Sequence, residues 1–232
     1  MGGGFPTTRL SALMGLHEPQ GRRRAWDALL AAYWKPAYKH VRLRLHKDRE
    51  DAADLVQGFF ARAFENDFFT GYEPARARFR TFLRTCLDRY VANDDKAQRR
   101  LKRGGDVTIV ALDFDAAEHE LARTVSSTED IFDREWRRTL LELGIEALRD
   151  HCQATDREQC FALFERYDLS IDDVRPTYQW LADELAIPIT TVTSQLAWAR
   201  RELRRCVREK LAEITADDAE MEAEAKVLFG RS

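Results

Sequence analysis

The chain has 232 residues, 44% hydrophobic and 33% charged, with a net charge of −3, which is enough apolar material for one ordinary core or two small ones. Its longest apolar runs, such as Ala28–Trp34, fall well short of the roughly 18–20 residues that cross a bilayer, and Met1–Leu10 lacks the basic start and apolar stretch of a signal peptide; a cytoplasmic protein without membrane insertion is expected. The four cysteines, Cys86, Cys152, Cys160 and Cys206, form no C-x-x-C pair, a chain of this length does not need disulfides, and His151 beside Cys152 reads as a surface histidine next to a buried thiol rather than a metal site.

Apolar residues recur at helical spacing almost throughout, and strand alternation is scarce. The fold class expected is all-α: two small helical domains joined by an acidic flexible linker, the second containing a helix-turn-helix. The expected divisions are an N-terminal extension over 1–24, a helical domain over 25–105, an acidic linker over 106–130, a second helical domain over 131–211 and an acidic tail over 212–232. In the first domain, Trp26, Leu29, Leu30, Tyr33 and Trp34 form one stripe, continued after Pro36 by Tyr38, Val41 and Leu45. Ala52, Leu55, Val56, Phe59, Phe60 and Ala63 form a second, and Phe79, Phe82, Leu83, Cys86, Leu87 and Tyr90 a third, with Gly71, Tyr72 and Pro74 marking the loop between them. The linker opens with Gly104-Gly105 and closes with Ser126-Ser127-Thr128; its Val107–Leu112 run has no obvious strand partner. The second helical set starts near Thr128 and runs through Trp136, Leu140, Leu143 and Leu148. Thr155-Asp156-Arg157-Glu158 reads as a capping box and predicts a helix start covering Phe161 to Tyr167. Leu169–Pro176 reads as a loop. A helix over Tyr178–Leu185, a turn around Ala186–Ile189 and a long helix from about Thr190 to Leu211 follow, and the tail either extends that helix or frays.

Charge is segregated along this order. Residues 1–105 carry a net +9, residues 106–135 a net −7 and residues 212–232 a net −4. One basic end on a near-neutral chain points to local contact with nucleic acid rather than general coating of it.

Two stretches carry the functional reading. In Tyr178–Arg200, Leu181, Ala182 and Leu185 face inward from a first helix, Ile187 fills the corner, and Val192 and Leu196 face inward from a second, with Ala182 small where the helices cross. This is the pattern of a helix-turn-helix, whose second helix enters the major groove. It exposes Thr190, Thr191, Thr193, Ser194 and Gln195, with Ala197 beyond them, while Arg200, Arg201, Arg204 and Arg205 suit backbone phosphates. An ordinary helical hairpin with a polar outer face has the same spacing. In the second stretch, residues 76–103, bases alternate with aromatics, the chemistry of a groove for single-stranded DNA. Phe79 and Phe82 are assigned to the core. Asn93, Lys96, Arg99, Arg100 and Arg103 are assigned to nucleic acid.

Taken together these pieces resemble the extracytoplasmic-function sigma factors of bacterial RNA polymerase, over about residues 25–105 and 135–211. The run Asp51-Ala-Ala-Asp54-Leu55-Val56-Gln57-Gly58-Phe59-Phe60 is similar to the family's region 2.2, D-x-x-D-L-V-Q-E-x-F. The resemblance implies that Asp51, Asp54, Leu55, Gln57 and Phe60 dock on the clamp of the polymerase's largest catalytic subunit, and the surplus of apolar residues on this helix suits such a surface. Phe79-Arg-Thr-Phe-Leu83 and the basic helix resemble regions 2.3 and 2.4, which melt and read the −10 element. The second helix pair resembles region 4.2, with Ala182, Leu185, Ile187, Thr191, Val192, Leu196, Ala199 and Arg200 meeting its pattern; that region reads the −35 element and packs on the flap of the other large subunit. The acidic linker sits where the family threads a connector through polymerase channels, and its charge suits mimicry of nucleic acid. The partners so implied are core RNA polymerase, promoter DNA and, as the family allows, an anti-sigma factor. The chain departs from the family at Gly58, where an acid is usual, at Ala186, where glycine is, at Pro188, and at Thr193 and Gln195, where cations are common.

The rivals are a helix-turn-helix regulator that works without polymerase, a helical adaptor, and an enzyme. Asp51 with Asp54, or His40 with His46, offer an enzyme reading conceivable metal ligands, but no H-E-x-x-H, G-x-x-x-x-G-K-[ST] or G-x-S-x-G motif is present, so no catalytic residue and no cofactor are expected.

Overall fold

A computed structural model describes residues 19–66, 68–98, 112–121, 130–170 and 175–230. These residues form nine α-helices, and no strand occurs among them. In chain order they are α1 (Pro19–Leu43), α2 (Arg49–Glu65), α3 (Phe79–Gln98), α4 (Phe114–Leu121), α5 (Ile131–Ala154), α6 (Glu158–Phe164), α7 (Tyr178–Leu185), α8 (Ile189–Ile214) and α9 (Asp218–Phe229). The chain divides into two compact units, Met1–Thr139 with Leu211–Ser232, and Leu140–Lys210.

The first unit is built on α1, α2 and α3. Helix α1 starts at Pro19, inside the stretch expected as an extension, with proline where its missing N–H costs nothing, and it continues through Pro36. Asp48 starts α2 by accepting a hydrogen bond from the Asp51 N–H at 2.8 Å. Tyr33, Phe59, Phe69 and Phe79 are each no more than 2% exposed. Their rings meet edge to face, with centroids 5.4 Å apart for Phe69–Phe79 and 5.7 Å for Tyr33–Phe79.

The expected flexible linker contains structure. Helix α4 lies within 106–130 and packs its acidic residues on α1: Tyr38 Oη donates to Glu118 at 2.7 Å, Arg42 forks onto Glu118, and the wholly buried Lys39 reaches Glu120 at 2.6 Å and Glu135 at 2.7 Å. A buried ammonium needs such partners, because an unpaired one costs far more than the pair gains. The Val107–Leu112 run lies outside the described residues except for Leu112. The acidic tail is likewise ordered: Asp217 caps α9 by accepting from the Glu220 N–H at 2.8 Å, and the helix belongs to the first unit.

The second unit packs the later part of α5 with α6, α7 and most of α8 around Leu148, Phe161, Phe164, Leu181, Val192, Leu196 and Ala199. The capping box is not formed. Helix α5 runs on to Ala154, so the Thr155 hydroxyl donates back to the His151 carbonyl at 2.7 Å, Asp156 turns the chain with φ 53°, and α6 begins without a side-chain cap. Thr155 ends one helix instead of starting the next. The stretch expected as the Leu169–Pro176 loop is entered by a turn of π-helix, Glu165–Leu169, and residues 171–174 lie outside the described ones. Cys152, Cys160 and Cys206 are free and buried, with burial pushing each thiol up, Cys152 to about 11.

Candidate nucleic-acid interface

Helix α2 presents two different faces. Asp51 and Asp54 are exposed and Gln57 is half-exposed, each three residues from the next, so they form one polar edge. Leu55 and Phe60 are not on a surface: they are 6% and 2% exposed, and Val56 and Phe59 are buried with them. The apolar surplus expected for docking is absorbed by α1, α3 and the Phe69 turn, which cover α2 on more than one side. Gly58 has its own reason. A Cβ there would lie 2.6 Å from Tyr90 Oη, so the tyrosine of α3 fills the place where an acidic side chain would stand.

An open cleft of about 660 Å³ lies between α2 and α3. Phe59, Ala63 and Cys86 floor it; Arg62 and Asn66 line it from α2, and Arg89, Tyr90, Asn93 and Asp94 from α3. Burial, with Asp94 adding to it, pushes the Tyr90 phenol up, so it stays a neutral hydrogen-bonding group at any physiological pH. Of the residues assigned to the −10 strand, Asn93 is exposed and opens onto this cleft. Lys96 lies on α3, while Arg99, Arg100 and Arg103 fall outside the described residues. Arg62 and Asn66 were not singled out in the sequence, and Arg89 counted only as one base of the 76–103 stretch. Arg62 carries a signal all the same, being a lone cation between two buried alanines of an apolar stripe.

The head of α3 is less available than its composition implies. Phe79 is core as expected, and Phe82 is half-buried. Arg80 is buried between Asp133 and Glu224, Arg84 pairs with Asp130, and Arg78 reaches Glu224 at 3.3 Å. Acidic segments of the same unit therefore neutralise much of the basic stretch.

In the second unit α7 and α8 meet through a three-residue turn. Thr177 caps α7, accepting from the Trp180 N–H at 3.1 Å. The exit is a Schellman arrangement: the Ile187 N–H donates to the Ala182 carbonyl at 3.0 Å, and Ala186 adopts the left-handed region with φ 50°. Leu181, Ala182, Val192, Leu196 and Ala199 are buried. On the opposite side Thr190, Thr193, Ser194 and Ala197 are exposed and Thr191 half-exposed, with the Thr193 and Ser194 hydroxyls resting on carbonyls three residues back, at 3.0 Å each. Gln195 differs from the expectation. Its Oε1 is buried without a hydrogen-bond partner, although the residue as a whole is half-exposed. Arg200 is also engaged, its guanidinium forking onto Asp168 at 2.9 and 3.0 Å over the Tyr167 ring. Asp168 and Tyr167, set in the π turn, are orienting residues that helical periodicity does not reveal.

Among the described residues no group of three or more His, Cys, Asp or Glu side chains could hold a metal ion, and no helix is long and apolar enough to cross a membrane. Compared with known proteins, the chain matches no family model, no curated protein and no solved structure.

Proposed function

We propose that the protein is a sigma factor of the extracytoplasmic-function type, which joins core RNA polymerase, recognises promoter −10 and −35 elements and promotes DNA opening. The observation that carries this reading is the α7–α8 pair. A small Ala182 at the crossing, a tight left-handed turn and a buried Val192–Leu196–Ala199 face leave Thr190, Thr193 and Ser194 outward at the start of the second helix, where a reading helix meets base edges. These features support the helix-turn-helix reading. The early residues of the second helix are neutral, so the contribution to affinity is hydrogen bonding to bases and phosphates rather than charge.

In the first unit, the docking edge is Asp51, Asp54 and Gln57, with Leu55 and Phe60 supporting it from beneath. The α2–α3 cleft, with Asn93 at its mouth and Tyr90 in its wall, suits an unstacked base of the opened strand; Lys96, Arg99, Arg100 and Arg103, which follow Asn93 in the sequence, are the cations proposed for its phosphates. The protein works by positioning and melting, with no covalent chemistry.

Burial of Leu55 and Phe60 favours one second reading, a helix-turn-helix regulator that binds duplex DNA without polymerase, since the docking surface loses its apolar part. Co-purification with core polymerase and run-off transcription separate the two. Replacing Asp51, Asp54 and Gln57 together by Ala should abolish polymerase binding while circular dichroism stays unchanged, because all three lie outside the core. Retained binding would shift the assignment to the regulator or to another docking surface.

A further inference from the structure

Helix α9 is held in an odd way. Its buried residues are Glu220, Glu224 and Ala225, while Met221, Val227, Leu228 and Phe229 are half-buried. The contacts sealed from water are therefore mostly polar. Glu220 Oε1 accepts from the Phe79 N–H at the head of α3, at 2.5 Å, and lies 2.9 Å from Tyr72 Oη; its Oε2 accepts from the Ala216 N–H at 2.9 Å. Glu224 takes Arg78 at 3.3 Å and faces Arg80 Nε at 3.0 Å.

The fit is incomplete. Arg80 is 7% exposed, yet its Nε and Nη1 make no hydrogen bond of normal geometry, although Glu224 lies 3.0 Å and Asp133 3.2 Å away. Burial pushes the Glu224 carboxyl up, against the pull of Arg80 and Arg78, so ionised Glu224 is seated at a cost. Beside the cradle, the half-buried rings of Tyr72 and Phe82 have centroids 5.3 Å apart, and Arg76 is exposed.

The Phe79 N–H at a helix head, two or three arginines and neighbouring aromatic faces are what a single strand of nucleic acid needs once Glu220 and Glu224 leave them: a donor and cations for phosphates, rings for bases. Glu220 and Glu224, one helical turn apart, occupy the phosphate positions. We propose that α9 is an intramolecular stand-in for single-stranded DNA, latched over a cradle of Tyr72, Arg78, Phe79 N–H and Arg80 that takes the phosphodiester backbone of that strand when the helix lets go. The inference rests on reading the first unit as the module that holds an opened strand, and it adds that the free protein keeps part of this surface closed.

The test uses the full chain and a fluorescein-labelled single-stranded DNA of mixed sequence, about 16 nucleotides long, followed by fluorescence anisotropy. A latch shut in about nine molecules of ten lowers the apparent affinity about tenfold. Glu220→Ala with Glu224→Ala, which removes the contacts and not only the charge, should therefore bind about tenfold tighter than the parent, and adding Arg78→Ala to that pair should remove most of the gain. A synthetic peptide of residues 215–230 should compete with the DNA on the double variant, whereas the same peptide with both glutamates changed to alanine should not. A double variant that binds no tighter than the parent, or a gain that survives Arg78→Ala, would overturn the latch and leave α9 a structural strut.

Should the double variant fail to fold, the parent itself decides the matter through amide hydrogen exchange. The α9 amides should exchange faster when saturating DNA is added, and unchanged protection, or no DNA binding at all, rejects the proposal. Pull-down on core polymerase keeps the two readings apart. If the double variant gains DNA affinity but neither form enters polymerase, the cradle stands and the sigma reading falls. If both forms enter polymerase and initiate equally, with DNA affinity unmoved, the sigma reading stands and the latch falls.

Discussion

Ala186 occupies a backbone region that a Cβ makes unfavourable, by about 1–2 kcal/mol. Ala186→Gly should raise stability by about 1 kcal/mol in urea denaturation, the gain in strain exceeding the entropy that glycine loses; a drop in stability would mean that the methyl group is used for packing. His40 is a second residue with a measurable consequence. Its Nε2 sits 2.7 Å from Asp88 and its Nδ1 is buried without a partner; burial lowers its pKa below 6.5, Arg84 and Arg44 adding to that and Asp88 opposing it. The unfolded chain then takes up a proton that the folded one resists, so stability is full above about pH 6.5 and is lost as pH falls through the folded value. Thermal melts from about pH 7.5 to about pH 5.5 should show this loss, and His40→Gln should flatten it. At this scale the sequence was informative about departures but not about their causes. Gly58 and Ala186 stood out against the family pattern, but the phenol that fills the space at Gly58 comes from Tyr90, thirty-two positions away on another helix.

Among the elements, α5 and α8 approach closely at Gly144, where a Cβ would lie 2.2 Å from Val207 Cγ2 and 3.5 Å from Leu203 Cδ1. Gly144→Ala should cost about 1–3 kcal/mol by overpacking, and Val207→Ala in the same chain should recover most of it, because the clashing methyl is then gone. A neutral Gly144→Ala would mean that the helices separate freely. The helices that the sequence placed well, α2, α7 and α8, carry strong 3.6-residue apolar periodicity. Those it missed lie in acidic stretches. Helix α4 turns Glu118 and Glu120 onto cations of α1, and α9 buries Glu220 and Glu224, so both read along the sequence as solvated linker or tail. The capping box failed for a related reason: the Thr-x-x-Glu spacing is local, and it cannot tell the end of α5 from the start of α6.

For the molecule as a whole, the segregation of charge has a clearer meaning in three dimensions than along the chain. The basic head and acidic middle attract within the first unit, through Lys39 with Glu120 and Glu135, Arg42 with Glu118, Arg49 with Asp115, and Arg84 with Asp130. Positive charge counted on the sequence therefore overstates what a polyanion would meet. Changing Asp115 to Asn and Glu118 to Gln, which releases Arg49 and Arg42, should make the protein elute later from heparin than the loss of two acidic charges elsewhere on the surface, such as Glu146→Gln with Asp150→Asn. Equal elution of the two variants would mean that these pairs hide no binding charge. Of the candidate site, the outward hydroxyls of α8 and the polar edge of α2 could be read directly, because exposure there follows from periodicity. The engagement of Arg200 by Asp168 could not, because it depends on a π turn that no simple repeat announces.

The assignment of Leu211–Ser232 to the same unit as the first three helices bears on how the protein is made. During translation the ribosome must deliver every residue of the second unit before α9 emerges, so the nascent first unit waits with the head of α3 uncapped and Arg80 lacking Glu224. A stalled nascent chain exposing residues only as far as about Lys210 should thus be more sensitive to protease around Tyr72–Arg80 than the released polypeptide, and assembly of the amino-terminal module becomes one of the last events of synthesis rather than one of the first.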